Sequence, residues 1–259
     1  MGSKCKRTIR DLLDLPLDAL SGETLHPVRV AVLDTGLDAS HPLLRGRVAS
    51  AVKWRREEDG TIVPSSLKRT SNNDPCGHGT GVAGVIAAIA PNARIDDICV
   101  LDADCGGCGD IVLAGLRAAI DSRAEVINVS VAFAKDLWWA ETSCLLEEAY
   151  VRGKIVVASK RNFPRPDDLG MPAELPTAIS VDAAWFPSPF VLRYLEKSKI
   201  EFAALGENVR TARPGGGWTR LSGTSLAAPT VAALCALLRG VNRDLTLFEI
   251  KSILKYHAL

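Results

Sequence analysis

The sequence predicts an α/β fold, a mostly parallel central sheet with helices on both faces, and three observations carry that prediction. Short runs of β-branched and aliphatic residues recur along the chain without the polar alternation of a half-exposed strand, as strands buried on both faces require. Longer stretches of small and aliphatic residues at helical spacing lie between them, and strands that alternate with helices build parallel sheets. Aromatic residues are only 5% of the 259, against 47% apolar residues in all, which suits helices lying close on a sheet better than an aromatic-rich antiparallel barrel.

Taken in chain order, Val28 to Leu33 is the first strand, continuous in apolar residues apart from Arg29. Gly79 to Ile89 reads as a helix of Gly, Ala, Val and Ile, followed by a strand from Ile95 to Leu101 and a helix from Asp110 to Ser122. A strand at Val126 to Val131, a helix at Ala140 to Arg152 and a strand at Ile155 to Ala158 continue the alternation. Ala178 to Val181 is a further strand, and two helices close the chain at Ser225 to Arg239 and Leu247 to Lys255. Two stretches fit no period: the polar, mixed-charge segment from Trp54 to Pro75 and the irregular segment from Trp185 to Lys199. Both are expected as surface loops.

No repeat, low-complexity tract or Pro/Gly-rich linker divides the chain, so residues 28–259 are expected as one domain preceded by a short N-terminal extension, 1–27. The extension carries Ile9, Leu12, Leu13, Leu17 and Leu20 at helical spacing; such a face either covers the core or lies across a cleft. It is charged from the start and has no continuous apolar run, so a secretory signal is not expected. Nor does any segment reach the roughly 18 uninterrupted apolar residues of a membrane span. With 31 Lys and Arg against 30 Asp and Glu, the formal charge is +1, which excludes broad attraction to polyanions. Neither a nucleic-acid nor a membrane partner is expected. Seven cysteines, an odd number in a chain of this size, read as reduced thiols and point to the cytoplasm.

Four windows carry candidate chemistry. Val30-Ala-Val-Leu-Asp-Thr-Gly36 places Asp34 at the carboxyl end of a buried strand, where parallel sheets hold their sites. Asp also begins turns and caps helices. Cys76-Gly-His-Gly-Thr-Gly-Val-Ala-Gly84 puts His78 at the mouth of a helix of small residues; imidazole titrates where a general base is useful near neutrality, though a lone buried His is often structural. Leu221-Ser-Gly-Thr-Ser-Leu-Ala-Ala-Pro-Thr-Val-Ala-Ala233 opens a helix at Ser225, among first-turn N–H groups that serve a developing oxyanion as well as a simple cap. Lys154-Ile-Val-Val-Ala-Ser-Lys-Arg-Asn162 is a buried strand that ends in an amide side chain.

Together and in this order, the windows resemble those of the subtilisin-like serine proteases, from about Val28 to the C-terminus. The resemblance implies a three-layer subtilisin-like fold and peptide-bond hydrolysis through an acyl-enzyme, with Ser225 as nucleophile, His78 as general base and acid, and Asp34 as the carboxylate that orients the imidazole. Asn162 and the Ser225 N–H would hold the oxyanion. It implies further that an extended protein or peptide substrate pairs with Cys105-Gly106-Gly107 and Ser130-Val131-Ala132. No organic cofactor is implied.

The chain departs from that pattern in several places. Ser159-Lys160-Arg161 replaces the small residues expected before the oxyanion Asn, so Arg161 either narrows the pocket for the side chain before the scissile bond, selects an acid there, or swings out with Lys160 to solvent. Selective cleavage of a particular protein or precursor is the expectation. The alternative is a pseudoprotease, a peptide-binding module whose pocket these two cations occlude. Gly81, Leu226 and Thr230 replace a His, a Met and a His of the family pattern without removing a catalytic group. The short Ala88–Ala93 stretch, with Leu43 in place of a carboxylate, leaves no calcium expected where secreted relatives bind one, and no metal is expected elsewhere. Cys105 and Cys108 form a lone C-x-x-C, expected as a thiol pair beside the cleft.

Overall fold

The computed structural model describes residues 7–133, 135–163 and 168–259; residues 1–6 of the expected extension lie outside them. The strands are β1 (Val28–Asp34), β2 (Val48–Arg56), β3 (Ile62–Ser66), β4 (Ala93–Cys99), β5 (Val126–Val129), β6 (Ile155–Ser159), β7 (Ala178–Ala184), β8 (Arg193–Tyr194), β9 (Phe202–Leu205), β10 (Val209–Arg213) and β11 (Gly217–Leu221). The helices are α1 (Ile9–Leu13), α2 (His78–Ile89), α3 (Gly109–Asp121), α4 (Lys135–Val151), α5 (Thr224–Val241) and α6 (Leu247–His257).

Nine strands form one sheet in the order β3-β2-β4-β1-β5-β6-β7-β9-β8. The inner seven run parallel, and β3 and β8 close the edges antiparallel. One apolar cluster joins the sheet to α2, α5 and α6, and a second joins its other face to α3 and α4. The expected three layers are present. After β4 the chain crosses from one side of β1 to the other and continues with β5, so the carboxyl ends of β4, β1 and β5 meet at the reversal where sheets of this kind leave a crevice.

Two expectations need correction. The stretch from Trp54 to Pro75 is not all loop: β2 and β3 pair across it, with Trp54 opposite Pro64 and Arg55 opposite Val63. Next to a sheet edge one face is less well covered, so the charges of β2 hid its period, and Pro64 of β3 is tolerated because an edge strand can spare a donor. Within Trp185 to Lys199, Arg193 and Tyr194 add a two-residue edge strand.

The N-terminal segment packs on the far side of the molecule from the strand ends. Leu12, Leu17 and Leu20 are buried in the α5–α6 cluster, and His257 Nε2 lies 3.1 Å from the Leu12 carbonyl. The covering role holds for residues 7–22. Helix α5 is long and apolar enough by composition to cross a membrane, yet 94% of it is buried within the fold. Its Ala-rich surface lets it run through the middle of one layer against α2 and several strands.

Candidate active site

Asp34 ends β1 in full burial, and His78 begins α2 directly opposite. Their contact depends on Gly79, where a β-carbon would stand 2.2 Å from the Gly36 carbonyl and 3.1 Å from Asp34 Cβ. Only glycine lets the helix start so close to the strand end. His78 Nδ1 then lies 2.7 Å from Asp34 Oδ1, and Nε2 lies 2.8 Å from Ser225 Oγ. Because the Asp34 carboxylate accepts, Nδ1 carries the proton and Nε2 is left to accept from the serine.

Ser225 occupies the first turn of α5. Pro229, four residues on, has no N–H, so the Ser225 carbonyl loses its helical donor. Ser130 replaces it: its hydroxyl donates to that carbonyl at 3.0 Å while accepting from Asn128 Nδ2 at 2.8 Å. Asn162 lies beside the serine. Its Oδ1 accepts from the Thr224 N–H at 3.0 Å, while the Thr224 hydroxyl, also 3.0 Å from that oxygen, has the Lys160 carbonyl as its closer acceptor at 2.5 Å. A backbone N–H must donate to oxygen, so the amide's NH₂ is the end left free for a ligand. Between them Gly223 adopts φ of +152°, and a β-carbon there would sit 3.4 Å from both Asn162 Oδ1 and Ser225 Oγ.

A second carboxylate supports the first. Asp74, buried, accepts from the hydroxyls of Thr35 (2.7 Å) and Thr80 (2.6 Å) and from the Gly77 and Thr80 N–H groups (2.8 Å each). Thr35 in turn accepts from the Gly79 N–H at 3.0 Å, so this network ties the turn after β1 to the first turn of α2. Burial is the largest influence on His78 and pulls its pKa down. The charge and hydrogen bond of Asp34, with the charge of Asp74, outweigh it and hold the imidazole above its ordinary value.

Sequence reasoning missed a third acid. Asp97 on β4 faces α2, opposite Val32 of β1 and Ala51 of β2. It is 1% exposed, and neither carboxylate oxygen has a hydrogen-bond partner. Burial first, then the charges of Asp74 and Asp34, push its pKa up to about 8, only partly offset by the nearby Leu37 N–H, which does not reach hydrogen-bond geometry. Asp97 is therefore neutral at pH 7.

Ser130, Ala132, Lys160, Arg161 and Asn162 line a cavity of about 230 Å³ beside Ser225. Arg161 neither plugs it as a bare charge nor swings out to solvent: its guanidinium bonds Asp168 at 2.8 Å, and Lys160 bonds Asp182 at 2.6 Å. Both partners are distant enough in sequence that spacing gave no sign of them. Val131 is partly exposed two residues beyond β5, while Cys105, Gly106 and Gly107 form an exposed loop after β4. In that loop the Gly106 carbonyl already accepts from the Asp102 N–H and the Cys105 N–H already donates to the Asp102 carbonyl.

The cysteine expectation is overturned. Cys105 bonds not with Cys108, which is an exposed free thiol, but with Cys76, whose Cα is 6.4 Å away. The reason is topological: the loop after β4 lies over the turn that leads into α2, a proximity that 29 residues of separation conceal. Cys99 and Cys235 are free and buried, and burial pushes both thiols up to about 12.

A hydrogen-bonded carboxylate, imidazole and hydroxyl at the switch point of a parallel sheet define the class of serine hydrolases. Comparison with known proteins narrows this. Residues 26–258 match the subtilase family, peptidase S8, and the chain belongs to that family as a subtilisin-like serine endopeptidase. It is 32% identical to an intracellular serine protease of Paenibacillus polymyxa over 85% of this chain and 70% of that one. To the major intracellular serine protease of Bacillus subtilis it is 28% identical, over 84% and 70%. Among solved structures, Sphericase superposes with a TM-score of 0.71 at 25% identity, covering 92% of this chain and 87% of that one. A cold-adapted subtilisin-like serine proteinase gives 0.70 at 23%, covering 92% and 88%.

Proposed function

We propose that Ser225 attacks the scissile carbonyl as His78 Nε2 takes its proton, and that His78 then delivers that proton to the leaving amine. Asp34 keeps Nδ1 protonated and stabilises the imidazolium. The Asn162 NH₂ and the Ser225 N–H hold the tetrahedral oxyanion, and water repeats the sequence on the acyl-enzyme. The observation that carries this reading is the unbroken chain Asp34–His78–Ser225 at 2.7 and 2.8 Å.

An extended polypeptide is the substrate, laid between 105–107 and 130–132, with the side chain before the cleaved bond in the cavity beside Ser225. Each cation of that cavity is matched by its own carboxylate. This supports an uncharged side chain there and a selective enzyme acting on a particular protein or precursor. An open cavity of about 230 Å³ weighs against the pseudoprotease alternative. We place the enzyme in the cytoplasm and residues 28–259 in one peptidase domain; relatives named as intracellular proteases support the first, whereas the expectation of reduced thiols no longer does, since Cys76 and Cys105 are bonded. The test is a fluorophosphonate probe, with Ser225→Ala as control, followed by a peptide library. Labelling that depends on Ser225, with cleavage after uncharged residues, is expected. No labelling overturns the catalytic reading, and labelling without peptide cleavage overturns the peptidase reading.

A further inference from the structure

A second cavity, of about 350 Å³, opens on the outer side of the α2 layer, apart from the residues that surround Ser225. Its walls are apolar: Val85 and Ile89 of α2, Phe186 and Pro189 of the loop after β7, Leu205 and Val209. Among the described lining residues the one hydroxyl is that of Thr230, whose single proton already has a carbonyl to go to, that of Leu205 at 3.1 Å or that of Leu226 at 3.3 Å. Trp185 stands at the rim, 62% exposed. An exposed indole over a concave apolar surface is unusual on a chain that needs only to stay folded, and such surfaces mark recognition.

The mouth is basic. Arg210 and Arg220 lie directly opposite each other in the β10–β11 ribbon, an arrangement of like charges that weakens a strand pair. Among the described residues neither has an ionic partner. Arg210 is held over the Trp218 ring at 4.3 Å and Arg220 by the Asn208 carbonyl at 2.8 Å, so both guanidinium groups are positioned without being neutralised. Arg193, not itself part of the lining, stands over the Phe186 ring, 5.8 Å from its centre. Among the described residues Glu207 is the one acid lining this cavity, against Arg210 and Arg220, which leaves the lining net positive.

We infer that this cavity is a docking site for an acidic peptide segment that carries one large apolar side chain, the side chain entering the cavity and flanking carboxylates pairing with Arg210 and Arg220. Charge complementarity selects the acid, and the apolar walls select the anchor. A nucleic acid fits less well: two or three cations around an apolar hole do not follow a phosphate backbone. Arg220 stands five residues before Ser225, so its Cα lies within about 17 Å of that of the nucleophile even if the chain between were fully extended. Resting on the protease reading, the segment then belongs to the substrate protein: docking it raises the local concentration of the cleavable bond and supplies selectivity that main-chain pairing lacks.

The binding test needs no catalysis. A blocked peptide with one Phe flanked by Glu and Asp is titrated into the Ser225→Ala chain, beside a counterpart with Lys for the acids, one with Ala for the Phe, and a single-stranded oligonucleotide. Expected is binding of the first alone, weakened at least tenfold by Arg210→Glu with Arg220→Glu, and by Ala88→Trp, which fills the cavity from α2. Thermal melting checks that each variant is folded. Equal binding of the acidic and basic peptides, binding that survives both variants, or preference for the oligonucleotide overturns the proposal. In the active chain, joining the acidic segment to a cleavable peptide is expected to lower KM at least fivefold, and the double charge reversal to abolish that gain without changing hydrolysis of the short peptide. An unchanged KM overturns the substrate assignment. Failure to label with fluorophosphonate sinks the catalytic reading alone, since the binding titration still reports on the cavity.

Discussion

Asp97 offers the sharpest quantitative test of the structure. Its carboxyl is sealed between β1, β2 and α2 without a hydrogen bond and is held protonated up to about pH 8, whereas in the unfolded chain it ionises near 4. Between those limits the folded state carries one proton that the unfolded state has released, so stability falls as pH rises. The slope for one proton is about 1.4 kcal/mol per pH unit, independent of the folded pKa as long as that lies above the range measured. From pH 5 to pH 7 this single group costs the fold about 3 kcal/mol. Asp97→Asn removes the proton linkage but leaves a buried amide in need of partners, which costs about 1–3 kcal/mol at every pH. The reading therefore rests on the change in the difference, not on the difference itself. Denaturant unfolding of Ser225→Ala and Ser225→Ala with Asp97→Asn, at pH 5 and pH 7, should show the variant gaining about 3 kcal/mol relative to its parent at the higher pH. The Ser225→Ala background prevents self-digestion. A difference that is the same at both pH values would mean that Asp97 is ionised in the folded chain, and the account of the acids beneath His78 would be wrong.

Three further outcomes are expected. Asn162→Ala should lower kcat by about 10²–10³ with KM little changed, a magnitude known from the equivalent donor of a subtilisin; an unchanged kcat on a specific peptide would remove Asn162 from the oxyanion site. His78 must be neutral to accept a proton, and its pKa is raised, so kcat/KM should fall on the acid side with a midpoint above 6.5, and Asp74→Asn should move that midpoint down. Its conjugate contribution to stability is present at low pH and is lost as pH rises through the folded pKa. The Cys76–Cys105 bond closes a loop of about 30 residues, worth about 3–4 kcal/mol in a chain-entropy account. Cys105→Ser and added reductant should therefore lower the melting temperature equally and raise KM for extended peptides, because the loop after β4 loses its tie to the turn before His78. Unequal shifts in melting temperature would point to another thiol.

Much of the core was legible because buried parallel strands and small-residue helices leave unmistakable patterns. The five strands expected from Val28 to Val181 all appear within a few residues of their expected ends, as do the helices at α2, α3, α5 and α6; α4 begins five residues earlier than expected, at Lys135. What escaped was mostly edge structure, and with it β9, a four-residue buried strand beside the edge strand β8 that follows directly on a charged stretch. β2, β3 and β8 have a solvated face, and β10 and β11 form a ribbon that carries Arg210, Arg213 and Arg220, so composition mistakes them for loops. The site divides the same way. Asp34, His78 and Ser225 announce themselves through the glycines and small residues that each position needs, such as Gly79 and Gly223, and Asn162 through the buried strand that ends just before it. Asp74, Asp97, Asp168 and Asp182 belong to no motif, two of them standing beside a second Asp, and nothing local shows which partners they meet.

By itself the sequence determined the layered α/β architecture, the family, and which four side chains sit at the carboxyl ends of the strands and the heads of the helices. Those properties follow from local periodicity and from motifs in which neighbouring residues constrain one another. Only the tertiary structure decided which partners those side chains meet: Ser130 under the Ser225 carbonyl that Pro229 leaves bare, Asp168 and Asp182 on the pocket cations, Cys76 on Cys105, and Arg210 set against Arg220. The physical reason is that hydrogen bonds, ion pairs and disulfides act over a few ångströms in space, and the closing of the sheet, not distance along the chain, sets which groups come that near.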